Sequence, residues 1–239
     1  MLLTDKITDE QRTNIARWLE SATLDVRAAK ILHQNNLYAP AVYHAQQTYE
    51  KLYKALHLLL GHEEEYLKKK GHLYLTEKRL KAVKKNGIVS GDAELIAILE
   101  KHVPSYDTYS KNELELVKAG QESYMLVELA RAMIFEDVSV IADKKIQEET
   151  KKWLQMHSAI FEERQFKIRE LRLFFIFMGV MMLAHLLAPH CKYTRYPSKS
   201  FAPQDYNQKM GIVETLPTIL DTADYAISEI RMILLKDSA

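Results

Sequence analysis

The residues from Tyr43 to Gly61, YHAQQTYEKLYKALHLLLG, constrain the fold most, because with the Ala41 just before them they sort onto two faces of a single helix. Ala41, Ala45, Thr48, Leu52, Ala55, Leu56 and Leu59 recur at helical intervals and form one stripe of apolar or small side chains. A stripe of that length has to be buried against other helices. Beside it His44, Gln47, Lys51 and Lys54 make a polar ridge, with Glu50 one turn before Lys54.

The rest of the chain offers little to a sheet. Seven Gly and six Pro in 239 residues are too few to punctuate many short strands, and 47% hydrophobic residues suffice for a core. The expected fold class is all-α. Cys191 is the only cysteine, so no intrachain disulfide is expected, and MLLTDKITDE lacks a signal-peptide pattern. The chain is therefore expected in the cytoplasm. A net charge of +1 gives no global attraction to nucleic acid or an anionic membrane. Locally, Lys68, Lys69, Lys70, Lys78, Arg79, Lys81, Lys84 and Lys85 crowd together, but without interleaved aromatics they read first as a solvated face.

Leu173 to Ala188, LFFIFMGVMMLAHLLA, carries no charged residue. It falls short of the roughly 20 residues of a bilayer crossing and contains His185, so a membrane span is not expected. The expectation is a helix buried nearly all round at the centre of a bundle, or shared between the core and a dimer interface.

Helical periodicity runs along most of the sequence. A first helix is expected from about Asp9 to Asn36 with Ile15, Trp18, Leu19, Ala22, Val26, Ala29 and Leu32 on one face. The short NNLYAP turn, with Pro40 at the start of the next helix, makes the first two helices antiparallel neighbours. Gly61 should end the second helix, a short basic helix is expected over Tyr74 to Lys85, and Asp92 can cap another that Pro104 bounds. From Lys111 to Ala188 there is no proline, and the long charged stretch should break into two helices around Asp137 to Asp143. After Pro189, Tyr193 to Gly211 is loop-like. A last helix should open near Thr215 and Pro217 with Leu216, Ile219, Leu220, Ala223, Ile227, Ile230 and Leu234 buried.

Asp25 interrupts the apolar face of the first helix. A carboxylate there is costly unless paired, and folding the hairpin about Tyr38 brings it level with Lys51 and near His44. A structural contact from Asp25 to Lys51 or His44 is expected, with a functional polar site as the alternative. Metal chemistry finds no support: His57 with His62 and His185 with His190 are five apart, an awkward angle for joint ligation. No glycine-rich phosphate loop or nucleophile elbow occurs, and no cofactor is expected.

WLESATLDVRAAKILHQNNLYAPAVYHAQQTYEKLYKALHLLLG, the GH of Gly71 and His72, the RYP of Arg195 to Pro197 and a closing helix together resemble the HEPN domain, the higher eukaryotes and prokaryotes nucleotide-binding domain. The resemblance covers about Asn14 to Leu80 and Met182 to Leu235. It implies an antiparallel four- or five-helix bundle, frequently dimeric and often encoded beside a minimal nucleotidyltransferase. The long separation of His72 from Arg195 departs from the family pattern, so 92–169 reads as an inserted helical hairpin between bundle parts 1–91 and 170–239.

Ribonuclease members of the family carry an Arg followed after four to six residues by a His. Arg195 is followed by YPSKSFAP, and no His lies beyond His190. Arg27 and His33 have suitable spacing but sit on the wrong helix and point apart around it. The expected function is thus a non-catalytic module, with no catalytic residue, that binds a nucleotide, a nucleic acid or a protein partner. Gln47, Lys51, Lys54 and Arg195 are its candidate nucleotide-binding residues, and Asp25 and His44 structural polar ones. Expected partners are a second copy of the chain, a minimal nucleotidyltransferase, and a nucleotide or RNA. The alternative is a metal-independent RNA-cleaving toxin of a toxin–antitoxin pair, drawing on Arg27, His33 or His72.

Overall fold

A computed structural model describes residues 7–59, 120–163, 168–197 and 201–236. Expectations for Gly61, Gly71, His72, the lysine-rich run, the basic helix over Tyr74 to Lys85, Asp92 and Pro104 fall outside them. The described residues are all-α, without a strand. In chain order the helices are α1 (Asp9–Gln34), α2 (Tyr38–Leu59), α3 (Gly120–Phe135), α4 (Lys144–Glu163), α5 (Ile168–Leu187), the short α6 (His190–Tyr193) and α7 (Gly211–Glu214), and α8 (Leu216–Lys236).

α1 begins where Thr8 and Gln11 satisfy each other's backbone N–H groups in a capping box, and its end is marked by Asn36 at φ 59°. α2 starts at Tyr38, so Pro40 is its third residue, in the first turn, where the N–H it lacks would have had no acceptor within the helix. The expected break between Asp137 and Asp143 is present. Asp137 accepts from the Ser139 N–H at 2.9 Å and Asp143 from those of Lys145 and Ile146, so the two carboxylates cap a one-turn 3₁₀ segment and then α4. The short α6 precedes the stretch read as loop, Tyr193 to Gly211, which includes a 3₁₀ turn over Pro203–Asp205, held where Phe201 and Tyr206 bury their rings beside Tyr193 and His190.

α1, α2, α3, α5 and α8 share one core. α1 runs antiparallel to α2 and to α8: Arg12 donates to the Leu234 carbonyl at one end, and Lys30 pairs with Asp221 and Asp224 at the other. All seven residues of the α2 stripe are buried. So is its opposite flank, Val42, Tyr49 and Tyr53, and the buried Tyr49 hydroxyl donates to the Ile219 carbonyl at 2.8 Å. α2 is therefore enclosed further round than one stripe requires.

α5 occupies the centre of the bundle. It is the one helix among the described residues long and apolar enough to cross a membrane, but 67% of its apolar window is buried inside the protein. Its neighbours are α2, through Tyr53, His57 and Phe177, and α4, through Trp153, His157 and Phe174. About two thirds of that window is thus covered within one chain, while Phe174, Phe177 and Met178 remain half-buried. α3 lies in the segment read as inserted, yet Leu126, Leu129, Ala130, Met133 and Ile134 are core residues. α4 is peripheral by comparison, burying only Thr150, Trp153 and His157.

The close approach of α3 to α5 depends on Gly179. A Cβ there would stand 2.5 Å from Ile134 Cγ1 and 2.7 Å from the Ala130 carbonyl oxygen, and backbone cannot step aside as a flexible side chain can. Gly179→Ala is expected to cost about 1 to 3 kcal/mol, readable as a lower midpoint in urea unfolding at unchanged slope. An unchanged midpoint would mean that the two helices are not in this contact.

Candidate functional site

Two polar clusters grow from the ridge of α2. In the first, Asp25 is at the edge of burial on α1 and accepts from both Lys51 and His44, the latter through Nδ1 at 2.9 Å. The structure thus contains both of the contacts weighed for Asp25. An Asp on the core side of α1 is tolerated because two donors from α2 satisfy both carboxylate oxygens. The imidazole of His44 remains about one third exposed, and its other ring nitrogen is not held by Asp25.

In the second cluster Glu50 is the hub. Lys54 donates to it at 2.6 Å, Gln47 at 3.2 Å and Gln46 at 3.5 Å, while Gln47 also donates to Gln46 at 2.6 Å. The Glu50 and Lys54 side chains are only 11% and 16% exposed, so this is a sheltered pair and not a surface i,i+4 bridge of little value. The Lys54 ammonium also sits 4.9 Å over the Trp18 ring. Trp18, expected to face the apolar stripe, is instead partly buried at the edge of the core, where its face can hold a cation.

Arg195, far away in sequence, reaches the same ridge. Its guanidinium lies 5.2 Å from the ring centres of both Tyr43 on α2 and Tyr196. It donates through Nε to the Cys191 carbonyl at 3.0 Å and through Nη2 to Cys191 Sγ at 3.4 Å, which closes the end of α6. Burial pushes the Cys191 thiol up, with Arg195 pulling the other way and the Glu50 charge adding to the rise. Arg195 itself is exposed, and the Tyr196 ring is 59% exposed.

All four candidate residues thus lie along one ridge, but none of the lysines is idle. Lys51 serves Asp25, Lys54 serves Glu50, and Gln47 serves Glu50 and Gln46. Tyr43 and Gln46 were not singled out from the sequence, Trp18 entered only as a residue of the apolar face of α1, and Tyr196 only as part of RYP. The one available signal was that Tyr43 opens the ridge one turn before Gln47. Arg27 and His33 do not converge: Arg27 is exposed, whereas His33 contacts the Val213 carbonyl through Nε2 at 3.2 Å. Among the described residues no group of three His, Cys, Asp or Glu could hold a metal ion.

The hairpin of α1 and α2 with this ridge, followed by α3, is the part of the chain that a known family covers: the model of the HEPN domain matches residues 15–133. The chain carries a HEPN domain. This assignment fits the all-α bundle and points to nucleotide- or RNA-related work. Searches of curated proteins and of solved structures returned no match. Within the HEPN match lie Asp25, His44, Gln47, Lys51 and Lys54, whereas Arg195 lies beyond it.

Proposed function

We propose that this HEPN protein is a non-catalytic, cytoplasmic module that binds single-stranded RNA or a nucleotide along the ridge of α2. The observation that carries the reading is the alternation of cations with aromatic faces, Lys54 over Trp18 and Arg195 between Tyr43 and Tyr196, beside a row of amides. Bases stack on exposed aromatic rings and phosphates pair with guanidinium and ammonium groups, and neither needs a glycine-rich loop. Arg195 uses two of its N–H donors on Cys191, which leaves others for a phosphate.

Cleavage is not part of the proposal, because the chain beyond Arg195 supplies no imidazole. The preceding His190 is buried and contacts the Tyr206 hydroxyl through Nδ1. A minimal nucleotidyltransferase remains the partner that the family resemblance implies. The inserted part of the chain is proposed to be narrower than 92–169, with α4 as its described portion.

Titration with ATP, AMP and a short unstructured RNA in chelator tests the reading. Wild type is expected to bind, and Tyr196→Ala to lose about 1 to 3 kcal/mol if a base stacks there. Lys54→Ala should weaken binding and flatten its salt dependence. No binding by wild type at millimolar ligand would sink the nucleotide and RNA reading and favour a protein-interaction module. Shortening of the RNA in the same tubes would establish the metal-independent ribonuclease instead.

A further inference from the structure

His44 stands on the ridge of α2 with one ring nitrogen held and the other open. Asp25 meets Nδ1 through one oxygen at 2.9 Å and takes the Lys51 ammonium on its other oxygen. A carboxylate set between an ammonium and an imidazole only accepts, so Nδ1 carries the hydrogen and the uncharged ring keeps its lone pair at Nε2. Nε2 bonds to no described residue and is not sealed from solvent. The hairpin of α1 and α2 thus presents a fixed acceptor from a side chain that is two-thirds buried.

This acceptor has no use for a phosphate. The Arg195 guanidinium and the Lys54 ammonium are donors and suit anionic oxygens, whereas a lone pair repels them and needs a hydrogen from the ligand. Tyr43 joins the two kinds of group: its ring centre lies 5.2 Å from the Arg195 guanidinium and 5.5 Å from the His44 ring, which it meets at 70°. In a nucleotide the sugar is what links phosphate to base. With the phosphate on Arg195 and the base on an exposed ring such as Tyr196, the hydroxyl of that sugar is the uncharged donor at hand. The 2′-hydroxyl both donates and accepts, and it is what separates RNA from DNA.

We propose that His44 reads the ribose: Nε2 accepts from the 2′-hydroxyl of a nucleotide whose phosphate lies on Arg195, so the ridge prefers ribonucleotides to deoxyribonucleotides. The inference rests on the reading of the ridge as an RNA or nucleotide site and gives a ligand contact to a side chain expected to be structural alone. Asp25 is its positioning residue, because it sets the tautomer without touching the ligand. In Asp25→Asn the Lys51 ammonium, which can only donate, claims the amide oxygen and turns the NH₂ group toward Nδ1. The hydrogen then moves to Nε2, and the acceptor becomes a donor.

Fluorescence anisotropy with labelled oligouridine as RNA, as its 2′-fluoro analogue and as DNA tests this, at about pH 8 where imidazole is uncharged. The 2′-fluoro probe keeps a ribose-like pucker but cannot donate. Wild type is expected to bind RNA about three- to tenfold more tightly than either other probe, the net worth of one hydrogen bond. His44→Phe keeps a ring of similar shape without the acceptor and should erase that preference, and Asp25→Asn should erase it with the imidazole still in place. The wild-type comparison and Asp25→Asn carry the test even where His44→Phe does not fold. Equal binding of RNA and its 2′-fluoro analogue by wild type, or a preference that survives either variant, would overturn the proposal and leave the ridge reading standing. Failure of wild type to bind any of the three probes would remove that reading and this inference with it.

Discussion

Leu52→Ala is expected to lower the free energy of unfolding by about 2 to 5 kcal/mol. Leu52 is fully buried in the middle of α2, inside the core that also holds Ile15, Leu19 and Ala22 of α1 and Ile176 and Val180 of α5. Removing its branched end takes away transfer free energy and leaves a cavity. α2 cannot shift to refill that cavity without disturbing the Asp25 contacts to Lys51 and His44 that tie it to α1. Met232→Ala on the exposed side of α8 should stay within about 0.5 kcal/mol and serves as the contrast. Urea unfolding of the two variants decides: if Leu52→Ala is as mild as Met232→Ala, the buried face of α2 has been misidentified.

Acid should destabilise the protein through His190. Burial holds this imidazole at about 4 instead of its ordinary 6.5. The unfolded chain therefore takes up a proton at pH values where the folded protein does not. The sign follows directly: stability from keeping His190 neutral is fully present above pH 6.5 and is lost as pH falls toward 4. A shift of this size corresponds to about 3 kcal/mol. His190 is pinned through Nδ1 to the Tyr206 hydroxyl at 2.8 Å, in the aromatic group that also holds Phe201, so the loop leading to α7 should loosen first. The test compares wild type with His190→Gln by urea unfolding at pH 7 and pH 4.5. The variant's deficit at pH 7 should shrink by about 2 to 3 kcal/mol at pH 4.5. A deficit independent of pH would show that His190 does not titrate in this way.

Much of the architecture was legible because amphipathic helices print their buried side on the sequence. The stripe of α2 and that of α8 each repeat with helical period, and their residues are buried or packed on the core. Asp25 on the core side of α1 foretold a polar contact across the hairpin, since an unpaired carboxylate there would be too costly. The two aspartates bounding the α3–α4 turn were equally readable, because short acidic side chains cap helices through local hydrogen bonds.

Other features had no local signature. α5 is apolar on every side, so its sequence cannot say that the neighbours it meets are α2, α3 and α4. Gly179 gives no hint in the sequence that a carbonyl oxygen of α3 approaches it. The membership of α3 in the core was likewise hidden by its place in a stretch that departs from the family pattern.

The candidate site divides in the same way. Sequence by itself determined that Gln47, Lys51 and Lys54 share one edge of α2, because helical periodicity is a local property of the backbone. Only the tertiary structure decided that Arg195 comes to lie over Tyr43 and that Trp18 holds Lys54. The physical reason is that a cation over a ring on another element depends on the relative position of α1, α2 and the α6 turn. The packing of the shared core sets that position, and no spacing within a single helix records it.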